Sequence, residues 1–121
     1  MATVAYPGNL QTAQTGNADS TNVIQRSGGD ANLRPPVLRI VSTIGATPTV
    51  TVNIRGSGDG VTWWNVPYSP LAAAPGDWTT APLVITTAVT GLYMLMPDRG
   101  WTFLKLTMSV NTNVTLTSDL L

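Results

Sequence analysis

Thr49-Val50-Thr51-Val52-Asn53-Ile54-Arg55 runs into Gly56-Ser57-Gly58-Asp59-Gly60 and returns as Val61-Thr62-Trp63-Trp64-Asn65-Val66. Side chains on a strand project alternately to opposite faces, so Val50, Val52 and Ile54 share a buried face while Thr49, Thr51, Asn53 and Arg55 point outward. The three glycines between the two runs permit positive φ, and the spacing predicts a hairpin.

The same period extends in both directions. Upstream, Val37 to Ile44 is a β-branched run in which Leu38, Ile40 and Ile44 can share one face with Arg39 on the other, and Gly45 to Pro48 supplies a turn before Thr49. Pro67 to Gly76, with three prolines and three alanines, suits a surface excursion. Leu83-Val84-Ile85 reads as a strand, and Gly91 to Met96 as another with Leu92, Met94 and Met96 on one side. Pro97-Asp98-Arg99-Gly100 is a turn; Trp101 to Val110 then alternates, with Leu104, Leu106, Met108 and Val110 facing in. Asn111-Thr112-Asn113 turns that chain into Val114 to Leu120, which predicts a second, closing hairpin.

Residues 1–34 follow neither period. Gly, Asn, Gln, Ser and Thr dominate there and apolar residues come singly, so this stretch is expected to be an extended arm that gains order by lying on other protein, the alternative being a linker or first irregular strand packed back on its own domain. Within it, Thr21 to Arg26 is a segment able to add a strand to a sheet edge. Arg34-Pro35-Pro36 forbids helix and marks a boundary. The expected architecture is all-β: an antiparallel β-sandwich of about seven to eight short strands over residues 35–121, preceded by the extended N-terminal arm over residues 1–34.

Composition supports strands over helices. The 121-residue chain fits one domain, has no Glu, and carries only 10% charged residues with six basic side chains balancing six Asp. The basic residues are spread out, so no broad field exists to attract phosphate or anionic lipid, and neither nucleic acid nor membrane is expected as a partner. Cys is absent, which removes disulfides and thiolate metal sites. No secretory leader opens the chain and no apolar run approaches the roughly 20 residues of a membrane span, so synthesis in a cytoplasm is expected.

Catalytic residues are scarce as well. His is absent, and Asp59, Asp77, Asp98 and Asp119 lie in or beside predicted turns, where Asp side chains commonly bond to nearby backbone. Gly56 to Gly60 joins two strands instead of opening a helix, so it is a hairpin tip and not a phosphate loop. One carboxylate in that loop makes a poor calcium site. No catalytic residue, cofactor or metal is therefore expected.

Four Trp residues stand beside a single Phe. Trp63 and Trp64 are adjacent and must point to opposite faces, so one is free to meet a sugar or a protein. The candidate partner contacts are Val23, Ile24, Arg26 and Arg34 of the arm, with Trp64, Trp78 and Trp101.

The run Thr49 through Asn65, a strand with a Gly-Ser-x-Asp-Gly tip and a Trp-bearing return, resembles small β-sandwich structural proteins of tailed bacteriophages. Gly100-Trp101-Thr102-Phe103-Leu104-Lys105-Leu106 and Asn111-Thr112-Asn113-Val114-Thr115-Leu116 are similar to the closing hairpin of the same proteins, so the likeness spans residues 37–121. Among these, the chain is most like capsid decoration (cement) proteins. That resemblance implies a non-enzymatic homotrimer on the outer surface of the virion, which binds the major capsid protein and stabilises the head by bridging its subunits. A head-to-tail connector or tail protein is the alternative within the virion, and a carbohydrate-binding β-sandwich module holding glycan on its Trp residues is the alternative outside it.

Overall fold

A computed structural model describes residues 2–26, 36–71, 78–96 and 100–121. Nine strands appear among them, and no helix: β1 (Ala2–Ala5), β2 (Gly8–Gln14), β3 (Asn22–Gln25), β4 (Val37–Ser57), β5 (Trp64–Asn65), β6 (Tyr68–Pro70), β7 (Leu83–Ile85), β8 (Thr90–Leu95) and β9 (Phe103–Leu120). The fold is all-β. Two facing sheets were expected, whereas the pairings join all nine strands into one sheet, ordered β1-β3-β9-β4-β8-β6, with β2 on β9 and both β5 and β7 on β4. The sheet is mixed because β1 runs parallel to β3, and it curls into a half-barrel.

The middle of the sheet is one long ribbon. β4 and β9 pair from Leu38↔Leu120 to Ser57↔Phe103. Two expected reversals are corrected here: Gly45–Pro48 does not end a strand, and Asn111–Asn113 does not turn a hairpin. They face each other across the ladder, where Ile44 pairs with Val114 and Thr49 with Thr112, so residues 45–48 bulge out of β4. On β9, Val110 and Asn113 take φ of 51° and 55°. Asn113 Nδ2 donates to Ala46 O at 2.7 Å, and Asn111 both donates to Val114 O and accepts from Val114 N. Turn chemistry on both strands at one level kinks the ribbon and leaves its direction unchanged.

Parity survives the kink. From Ile44 to Thr51 β4 advances seven residues while β9 passes five, from Val114 to Ser109, an excess of two that returns even-numbered side chains to the inside beyond the kink, although Ile44 and Val110 beside it, both expected to face in, are exposed. Leu38, Ile40, Val50, Val52 and Ile54 of β4 therefore meet Leu104, Leu106, Met108, Leu116 and Leu120 of β9 in one core. Each such side chain contributes roughly 1.5–3 kcal/mol relative to exposure. The kink splits the ribbon into halves, one flanked by β8 and β2, the other by β7, β5 and β3.

Residues 2–26 are not a free arm. β2 lies antiparallel on β9 and β3 pairs with it at Ile24↔Leu104, while Leu10 and Ile24 are fully buried in the core. Gln11 Nε2 donates to Ser118 Oγ at 3.1 Å and Tyr6 OH to Leu121 O at 3.0 Å. The segment is ordered by its own domain because it covers a flank of β9 that would otherwise leave backbone groups unpaired. The boundary residues Arg34 and Pro35 lie outside the described residues. The expected return strand over Val61–Val66 shrinks to Trp64–Asn65, since the preceding loop is held by its own side chains.

Candidate interaction surface

The loop after β4 shows how the Asp residues are used. Ser57 Oγ accepts from Gly60 N at 2.8 Å and donates to Asp59 Oδ1 at 3.0 Å, and the same Oδ1 accepts from Val61 N and Thr62 N at 2.8 Å each. Those bonds from Thr62, Val61 and Ser57 hold the Asp59 carboxyl below its ordinary range. Asp119 does not sit in a turn as expected: it lies in β9, 2.9 Å from Arg39 Nη2, and accepts from Asn9 Nδ2 at 2.8 Å. Asp19 pairs with Lys105 Nζ at 2.9 Å and accepts from Thr107 Oγ1 at 2.9 Å. Burial alone would raise both carboxyls; the bonds from Asn9 and Arg39 to the one, and from Lys105 and Thr107 to the other, outweigh it and lower both. Asp77 and Asp98 lie outside the described residues.

The candidate contacts divide sharply. Val23, Ile24 and Arg26 are buried at 7%, 0% and 8% exposure, and Arg34 lies outside the described residues. Arg26 and Trp101 do meet, but inside the protein: the guanidinium lies 3.4 Å from the centre of the indole ring, and Nε and Nη2 both donate to Trp101 O. Trp101 is 1% exposed and donates from Nε1 to Met96 O at 3.1 Å. Gly56 makes room for this, since a Cβ there would sit 2.6 Å from Val66 Cγ2 and 2.8 Å from Trp101 Cβ.

The adjacent Trp pair does separate to two faces. Trp64, in register with Gly56, packs against the core, and Trp63 turns out to lie over Lys105 with Nζ 4.3 Å from its ring centre. Trp78, 37% exposed, remains the one candidate contact at the surface among the described residues. Trp101 is thus closed to a sugar, and Trp64 is half-buried.

No protein family, curated protein or solved structure matches this chain. Its surface must therefore be read from the residues alone. An open hollow of about 350 Å³ at the kink is lined by Thr15, Thr43, Ile44, Gly45, Asn113, Val114 and Thr115 and carries no charged or nucleophilic group beyond hydroxyls. A more specific feature lies on the flank of β4 that carries β6, β7 and β8. Five of the eight large apolar side chains exposed among the described residues, Leu71, Trp78, Val84, Val89 and Leu92, are there. Leu71 and Leu92 are neighbours, Leu71 N donating to Leu92 O at 3.0 Å, and Leu92 stands opposite Arg39. Apart from Trp78 these residues escaped the reading by motif, but one signal marks them: from Pro67 to Met96 the only charged residue is Asp77.

Proposed function

We propose that this chain is a structural protein that works by binding other proteins, and that its place is the outer surface of a tailed-phage head, where it decorates the shell and bridges major capsid subunits. The observation that carries the reading is the charge-poor flank, where Asp77 is the one charged residue from Pro67 to Met96, with its five exposed apolar side chains, a surface of the kind that marks protein contacts. The resemblance of residues 49–65 and 100–116 to virion β-domains supplies the assembly.

The described part of the arm, residues 2–26, plays no clamping part in this mechanism, since its large apolar side chains Leu10, Val23 and Ile24 are buried in the chain's own core. Contact with the capsid falls instead to the β6–β8 flank and the strand edges. Stabilisation is thermodynamic. A ligand that binds only the assembled shell raises the work of pulling subunits apart, by about 2.7 kcal/mol per site at a concentration 100 times its dissociation constant.

The test is to mix the purified protein with empty heads assembled from the major capsid protein encoded with it. Co-sedimentation at a fixed number of copies per capsid subunit, with a rise in the temperature at which heads rupture, is expected. Protein that stays in the supernatant overturns the proposal, and a single ring of copies per particle moves the protein to the head-to-tail connector.

A further inference from the structure

Arg55 stands in an unfavourable place. Its direct partner across the β4–β9 ladder is Lys105, and across the β4–β5 pair it is Asn65. Directly opposed side chains share a face with Cβ atoms about 5 Å apart, where like charges repel. The other described cations are provided for: Arg39 holds Asp119, Lys105 holds Asp19, and Arg26 donates to Trp101 O. Arg55 has no carboxylate within ion-pair reach among the described residues. Its Nη2 donates to Trp63 O at 3.4 Å, a long bond, and its Nε is closed off from solvent without an acceptor. Asp19 is bonded to Lys105 and Thr107 and feels Arg55 only through the field. A half-buried guanidinium with an unmatched donor, set against a like charge, costs stability instead of adding to it.

The arrangement lacks an anion. Asn65, Arg55 and Lys105 stand side by side on three adjacent strands, about 4.8 Å apart from strand to strand, with Asn65 exposed and the half-buried Trp63 ring over Lys105. We infer that Arg55, flanked by Asn65 and Lys105, receives one carboxylate, an Asp or Glu side chain of the protein partner. Arg55 and Lys105 with Asp19 leave the patch one net positive charge, which one carboxylate cancels. A nucleic-acid backbone would need a row of cations, and the next one on β4, Arg39, lies at the far end of the strand and is already paired. The site faces outward from the ribbon and shares no residue with the β6–β8 flank. It adds what apolar contact there cannot supply: a guanidinium meets a carboxylate in a fixed geometry, so one such pair sets the register of a docked surface.

The inference rests on the association role proposed above, and two measurements on the free chain separate it from that role. Arg55→Met keeps an apolar stem and removes the charge. With Arg55 awaiting an outside anion, the variant should melt at the wild-type temperature or above, because repulsion with Lys105 disappears and only the long bond to Trp63 O is lost. A fall of several degrees shows an Arg55 satisfied within the chain and overturns the inference. Sodium acetate, titrated against sodium chloride at constant ionic strength, should move the Trp63 indole and Asn65 amide resonances saturably in wild type and leave them in place in Arg55→Met. Resonances that stay put in wild type, or move equally in both, overturn it as well. On heads, Arg55→Met should bind at least about 10-fold more weakly than wild type, and heads whose carboxylates have been capped as amides should bind wild type no better than the variant; equal binding of both proteins to untreated heads overturns the inference. Heads that wild type ignores remove the decoration role, and the melt and the acetate titration then decide the site by themselves.

Discussion

Ile24→Ala separates an integrated amino-terminal segment from a partner-gripping arm. Ile24 is fully buried, faces Leu104 across the β3–β9 pair, and its Cδ1 reaches to within 3.1 Å of where a Cβ on Gly8 would lie. The change deletes three carbons, about 2.4 kcal/mol at ~0.8 kcal/mol per buried methylene. The cavity left behind adds to this, which places the loss near 3 kcal/mol, inside the range of about 2–5 kcal/mol for such truncations. For a domain of this size that lowers Tm by about 10 °C. The control is Val84→Ala, at 58% exposure, with an expected change below about 0.5 kcal/mol. Urea unfolding followed by Trp fluorescence, together with thermal melts by circular dichroism, reads both. If Ile24→Ala shifts the free chain no more than Val84→Ala does, and instead weakens binding to heads, the segment is a clamp and its assignment to the core fails.

Gly56→Ala should destabilise by roughly 1–3 kcal/mol, because its methyl meets Val66 and Trp101 at distances that neither side chain can relieve without moving out of the core; a melt within 1–2 °C of wild type would contradict that packing. Acid should weaken the fold. Asp19, Asp59 and Asp119 have carboxyls lowered in the folded state, so their contribution is complete above the unfolded value of about 3.9 and fades as pH falls through their lower folded values. Tm measured from neutral pH to about pH 3 should drop, with the slope reduced in Asp19→Asn and Asp119→Asn, and a flat profile would show that these contacts do not hold the fold.

Strand content was legible because the period of two is strong where the core needs it, at Val50, Val52 and Ile54 and again at Leu104, Leu106 and Met108. The kink was not. Gly45–Pro48 and Asn111–Asn113 each carry turn chemistry, and whether a turn reverses a chain or bends it depends on what stands across the ladder, which no local pattern contains. The amino-terminal strands were hidden for another reason. β2 and β3 give the core only Leu10 and the Val23-Ile24 pair, too few apolar positions to establish a period, although both strands pair with β9. Of the candidate contacts, the opposition of Trp63 and Trp64 was readable, but which ring faces in is decided by the space above Gly56.

The placement of charge ties the fold to its proposed work. Arg39 binds Asp119 and Lys105 binds Asp19, so four of the seven described charged residues are consumed in pairs that tie β4 to β9 and the amino-terminal segment to β9. Exposed pairs of this kind add at most about 1 kcal/mol each to stability. Their larger effect is to cancel the field the chain could project, so little electrostatic steering remains to choose a partner or to speed encounter. Beyond the one contact at Arg55, recognition is then left to shape and apolar contact, which pays only when large surfaces meet in a fixed geometry. A neutral protein with a kinked ribbon at its centre and exposed apolar side chains on one flank is suited to a lattice in which neighbours are already held in place, and poorly suited to capturing a dilute, freely diffusing ligand.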